Sequence, residues 1–277
     1  MRRSAAYGLS WSLKAAPERT MKISFGSIAS KTGFVLLVLG AWFALSRLGP
    51  WPRHLFPGPE AVAASFVGML LDGRLVRATL HSLSRMFQGY LISVAIGVPL
   101  GILMARLRIL REAVKPVLMG LQGLPSICWL PLALLWFGLN DAAIIFVVVM
   151  GSLLSISIGA EDAVNRIDPM LLRVSGTLGI RGLRFYAGVL LTAALPGIVT
   201  GLKLGWAFAW RALMAGELLF VSGGLGQLLN TGRELMEVPQ VMAVMLAIIL
   251  IGTAVDRFLF QTVELRIRRR WGLVATT

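Results

Sequence analysis

The sequence predicts an all-α polytopic membrane protein that crosses the bilayer six times, with both termini on the cytoplasmic side. Three observations lead there. Of 277 residues, 57% are hydrophobic and 14% charged, and the mean hydropathy of +0.79 lies outside the range of soluble domains. Apolar runs approaching the length of the hydrocarbon core recur along the chain. The residues behind the net charge of +14 gather in short clusters between those runs. Such clustering marks topology and argues against a nucleic-acid surface.

Residues 1–32 carry Arg2, Arg3, Lys14, Arg19, Lys22 and Lys31, and are expected in the cytoplasm; Met21 offers an alternative start. The first apolar run, 33–48, is short and has a basic flank, as a signal peptide would. No small-residue cleavage site follows Ala44, so a retained helix is expected. The extracytoplasmic segment 49–84 lies in the stretch from Arg47 to Arg85, whose five arginines make it the one external stretch that weakens the charge rule; its helix-like part, 60–71, suggests a hairpin lying on the membrane surface. Further crossings are expected at 86–105, 117–137, 142–159, 196–220 and 241–260, within a core of 85–264 followed by a tail of 265–277.

Orientation follows from Lys and Arg near the crossing ends, which resist translocation. Arg106, Arg108, Arg111 and Lys115 mark one cytoplasmic connection. Arg166, Arg173, Arg181 and Arg184 mark the next, and Arg266, Arg268, Arg269 and Arg270 the tail. By contrast, 138–141 has no basic residue, and 219–240 has only Arg233 beside Glu234 and Glu237. The lone Cys128 lies in an apolar run and is expected to be buried as a small hydrophobe. One cysteine excludes an intrachain disulfide framework or a cysteine metal site.

The connection at 160–195 is long enough to contain an element of its own. Asp168 can cap a helix that starts at Pro169, where a missing N–H does no harm. Leu171, Val174 and Leu178 share one face, and Gly179 is a suitable stop. So short a helix is marginal alone and must dock on something.

Glycines at Gly197, Gly201 and Gly205, and at Gly97 and Gly101, give flat ridges for close helix approach, within the chain or at a seam between copies. Pro125 and Pro131 flank a segment containing Ser126 and Trp129, and a proline-broken crossing suits either a gate or a buried kink. Charges inside apolar runs are functional candidates. Lys203 is expected near a cytoplasmic end, where it can snorkel. Arg211 lies deeper and must meet water, a carboxylate or an anionic cargo. Glu217 is the nearby counter-charge, but six residues on a helix place the two about 120° apart.

The stretch Asp168-Pro169-Met170-Leu171-Leu172-Arg173-Val174-Ser175-Gly176-Thr177-Leu178-Gly179, followed by Val189-Leu190-Leu191-Thr192-Ala193-Ala194-Leu195-Pro196, resembles the EAA loop of type I ABC importer permeases. Gly179, Val189 and Leu191 fall in that register. Arg173-Val174-Ser175 stand where the Glu-Ala-Ala triplet is expected, and Thr192 stands in place of a proline. The run from Gly123 to Leu132, Leu55 to Pro59, and Ala215 to Gly226 resemble the nitrate, sulfonate, taurine and bicarbonate branch.

The resemblance implies the permease fold and a bacterial inner-membrane location. It also implies a second permease copy, two ATP-binding cassette subunits that hold ATP and Mg, and an extracytoplasmic solute-binding protein. The capped helix is then the coupling helix: Leu171, Val174 and Leu178 dock, with Asp168 and Arg173 at the rim. Pro125, Ser126, Trp129, Pro131, Arg211 and Glu217 become candidates for the translocation path, with Arg211 selecting an anion.

No catalytic or cofactor site is expected in the chain itself. The stretch Gly26 to Thr32 is one residue short of a Walker A motif and lacks its second glycine, and Gly223-Gly224-Leu225-Gly226 follows no strand. An intramembrane hydrolase finds only His54 and His81, neither at a useful spacing. A secondary transporter working without an ATPase is the stronger alternative, opposed by the small number of crossings and the lack of an inverted repeat.

Overall fold

The computed structural model describes residues 25–52, 54–219 and 223–270. Arg2, Arg3, Lys14, Arg19, Lys22, Met21 and the tail beyond Arg270 lie outside them. The described residues contain helices and no strand. The chain divides after Ala41 into two units. In the first, α1 (Phe25–Leu48) exposes Phe34, Leu36 and Leu37, an apolar surface suited to lipid.

The second unit opens with the end of α1. Trp42 Nε1 donates to Pro57 O at 3.1 Å, and Arg47 pairs with Glu60 at 2.7 Å. Pro59 then opens α2 (Pro59–Leu71). Val62 and Met69 bury against Ala243, Val244 and Ala247, so the segment expected on the membrane surface is a helix packed into the bundle.

A tight turn follows at Gly73, which has φ +76° and so favours glycine. The backbone N–H and guanidinium of Arg74 both donate to the Asp72 carboxylate, holding its pKa below the usual range. From there α3 (Arg74–Arg106) runs unbroken. It starts ahead of the expected crossing because its first turns bury Ser82 and Arg85, which lower the local hydropathy.

The run expected as one crossing at 117–137 is instead broken. It comprises α4 (Arg108–Gln122), a 3-10 turn at Ser126–Trp129 and α5 (Leu130–Phe137), and the pair is bent by 102°. The break falls at Pro125, which has no N–H to continue the ladder, whereas Pro131 sits harmlessly in the first turn of α5. Cys128, expected in the core, lies exposed on the 3-10 turn that follows the break.

At the centre, α6 (Asp141–Asn165) packs between α3 and α8 (Leu191–Leu219). Both glycine ridges serve these contacts. A Cβ on Gly97 would stand 3.0 Å from Ile156, and one on Gly201 would stand 3.1 Å from the Gly159 Cα. Gly101, Gly197 and Gly205 likewise face α6, so the expected close approach lies inside the chain.

Ahead of α8 come α7 (Pro169–Thr177) and a π turn at Phe185–Leu190. Because this helix begins at Phe185, Lys203 lies deep within it instead of near an end, and it pairs with Asp256 at 3.2 Å. Then follow α9 (Leu225–Glu234), α10 (Val238–Val255), a second π turn at Asp256–Phe260, and α11 (Gln261–Arg270).

Among the described residues, four helical segments, Arg74–Arg106, Asp141–Asn165, Phe185–Leu219 and Val238–Ile267, are long and apolar enough to cross a membrane. The bent pair of α4 and α5 passes the same test jointly. Thr32–Leu48 and Pro59–Leu71 are shorter apolar helices.

Candidate functional site

Two adjoining cavities open at the break between α4 and α5. One, of about 300 Å³, is lined by Pro125, Ser126, Ile127, Phe208, Arg211, Ala212 and Ala215. Its neighbour, of about 140 Å³, shares Pro125, Ser126 and Phe208 and adds Gln122, Met150 and Gly151. Three of the expected path residues, Pro125, Ser126 and Arg211, therefore meet across one space. Trp129 instead packs edge-on against Phe146, and Pro131 lines neither cavity.

Arg211 is exposed. Its Nε donates to Ala207 O at 3.1 Å, and its guanidinium lies 4.5 Å from the Phe208 ring centroid. Among the described residues no carboxylate pairs with it. A fixed cation on an apolar wall, with hydrogen-bond donors to spare, can receive an oxyanion.

Glu217 belongs elsewhere. Expected on the path, it is fully buried and pairs with Arg85 at 3.0 Å. Ser82 Oγ donates to its Oε2 at 2.7 Å, and the Gly226 N–H donates to the same oxygen at 3.0 Å. Arg85 also reaches Asp141 at 2.8 Å, and Ser82 accepts the Leu225 N–H at 2.8 Å. The Gly223–Gly226 turn thus presents the start of α9 to a carboxylate of its own chain, where the helix dipole favours a negative charge. This network fastens α9 to α3 and α8, and the carboxylate is enclosed by its partners instead of lining a space.

The expected capped helix is present. Asp168 accepts from the Met170 N–H at 2.8 Å, and Pro169 occupies the first turn. At the other end, Ile180 N–H donates to Ser175 O at 3.0 Å and Gly179 N–H to Gly176 O at 3.1 Å, with Gly179 at φ +70°. These bonds form a Schellman stop. Leu171 and Val174 are 44% exposed and Leu178 70%, so three apolar side chains share an uncovered face. Arg173 lies on the same short helix, exposed. Leu172 packs inward against the buried cluster that contains Val164 and Ile167, as Phe185 does, and the Ser175 hydroxyl donates to Leu172 O.

Four charged groups escaped sequence reasoning as structural partners. Arg85 looked like a loop cation; its signal was a buried-face series of Ala78, Ser82, Arg85 and Gly89. Glu161 is buried and pairs with Lys115 at 2.5 Å, and Asn165 donates to it at 2.9 Å. Asp256 lies in an apolar run and answers Lys203. Arg106 stacks on aromatic rings, which no spacing announces.

Residues 97–269 match the family described as binding-protein-dependent transport system inner membrane component. The chain is 35% identical, over 86% of its length and 91% of the relative's, to a putative ABC transporter permease protein of Methanocaldococcus jannaschii. It is 31% identical to the bicarbonate transport system permease protein of Synechocystis sp., over 70% of each chain. It is 26% identical to the putative aliphatic sulfonates transport permease protein of Bacillus subtilis, over 80% of each. In fold it resembles a chain of the MetNI methionine ABC transporter in an inward-facing conformation. That superposition has a TM-score of 0.62 at 22% identity and covers 73% of this chain and 97% of the other.

Proposed function

The chain belongs to the family of binding-protein-dependent transport system inner membrane components, and on that premise we propose that it forms the path for a small anion and is driven by an ATPase seated on α7. As an ABC importer permease it is a multi-pass inner-membrane subunit, and hydrolysis is the task of a partner. An external binding protein delivers the cargo. Two copies form the permease, each crossing six times with both termini inside, the bent α4–α5 pair and α1 supplying the crossings beyond the four long helices.

The observation that carries the coupling reading is α7 itself. A helix capped at both ends and held inward by Leu172 displays Leu171, Val174 and Leu178, exposed among the described residues. An apolar stripe seated in a groove transmits displacement, and ATP-driven closure of the ATPase pair then biases two packed arrangements of the bundle. The anion reading rests on Arg211 at the cavity beside Pro125 and Ser126. Relatives named for bicarbonate and sulfonates point to cargo of the same charge.

The test is uptake of labelled bicarbonate, nitrate and methanesulfonate by liposomes containing this chain with its ATPase and binding protein. Uptake that requires ATP is expected. Uptake by the permease alone, driven by an ion gradient, would instead identify a secondary transporter.

A further inference from the structure

We infer that Arg106 is a positioning residue that ties the displacement of α7 to the end of α3, an inference that rests on α7 being the helix the ATPase moves. Arg106 is the last residue of α3, and among the described residues its Nε and Nη2 are buried without an acceptor. Its guanidinium lies instead 5.1 Å from the Phe185 ring centroid and 5.9 Å from that of Tyr186. Those rings begin the π turn ahead of α8, and they stand edge to face at 5.6 Å.

Three features make this contact a mechanical joint. Phe185 packs in one cluster with Leu172 of α7 and with Val98, Ile102 and Ala105 of the last turns of α3. A push on α7 therefore reaches α3 through a shared set of side chains. The π turn carries one residue more than an α-turn would, and its relaxation shifts the preceding register by about 1.5 Å. Thr192 Oγ1 donates to Ala187 O at 3.2 Å and satisfies a carbonyl within that turn. Finally, a cation over ring faces attracts without fixed donor and acceptor directions, so it holds while the surfaces slide. An ion pair such as Arg85–Glu217 has no such tolerance.

The experiment uses the permease assembled with its ATPase and binding protein in liposomes, with Ala215→Cys in a Cys128→Ser background as reporter. Ala215 lines the cavity at the break beside Pro125 and Arg211, so its labelling by a membrane-impermeant maleimide follows that cavity without knowledge of the cargo. Trapping with ATP and vanadate is expected to change that labelling rate in this otherwise wild-type chain. Arg106→Ala and Phe185→Leu should shrink the nucleotide-dependent change about three- to tenfold while the complex still co-purifies. Arg106→Lys and Tyr186→Phe, which keep a cation and a ring face, should retain it.

An assembled Arg106→Ala complex with the wild-type response overturns the inference and leaves the proposed function standing. A wild type in which nucleotide changes nothing overturns both. Should Arg106→Ala fail to assemble, Phe185→Leu, which keeps the apolar packing, decides the matter by the same reading.

Discussion

Arg85 and Arg211 sit in the same bundle, both within apolar helices, and their surroundings differ in every respect that matters. Arg85 is 4% exposed and bridges two carboxylates, one of them fully buried. Arg211 is exposed, stacks on Phe208, and faces a cavity with no carboxylate partner among the described residues. A buried cation is tolerable only where its countercharge and hydrogen bonds travel with it. The first arginine is therefore spent on holding α9 to the bundle. The second keeps its donors for a ligand.

The comparison is broken most severely at Glu217. Glu217→Ala removes the fully buried countercharge of Arg85, and should cost about 3–5 kcal/mol of stability, seen as a lower melting temperature in detergent and a smaller yield. A variant that melts like the wild type would mean that the buried pair holds nothing.

Arg211→Ala should give the opposite profile: anion uptake reduced tenfold or more, consistent with a charged hydrogen bond of about 1.5–3 kcal/mol, with stability changed by only about 0.5 kcal/mol. Equal loss of stability in both variants would erase the distinction. Leu178→Ala tests the exposed face of α7. Loss of about 1–2 kcal/mol of apolar burial should weaken ATPase co-purification about five- to thirtyfold, with the Arg85 network unaffected.

The smallest effect belongs to Asp72, an exposed carboxylate whose folded pKa is lowered by the N–H and guanidinium of Arg74. Its contribution is present above its unfolded pKa and is lost as pH falls through the lower folded value. Asp72→Asn should flatten the acid limb of a melting-temperature profile slightly and leave the neutral range unchanged.

Much of this was legible in the residues. The caps of α7 follow from Asp168, Pro169 and Gly179, each with a local reason to be where it is, and the apolar face follows from helical spacing. The glycine ridges announced close packing, although which helix they meet required the fold. Other features were hidden because hydropathy averages over faces. Ser82 and Arg85 disguised the start of α3, and the helix leading into α8 begins well before its apolar run. The fate of Glu217 depends on α3 and α9, which are remote in sequence and meet only after folding. Pro125 signalled a break, but not the sharp bend or the exposure of Cys128 on the turn that follows it.

The contact between Gly159 and Gly201 bears on how this protein can change over generations. Each glycine leaves room for the other's backbone, so a side chain at either position demands that two helices separate. Neither residue can drift first and wait for the other to compensate. A randomised library selected for uptake should therefore return glycine at both sites, while the surface positions of α7 explore many apolar alternatives. The seam between α6 and α8 is a fixed point in sequence space, and diversification of the transporter must proceed around it.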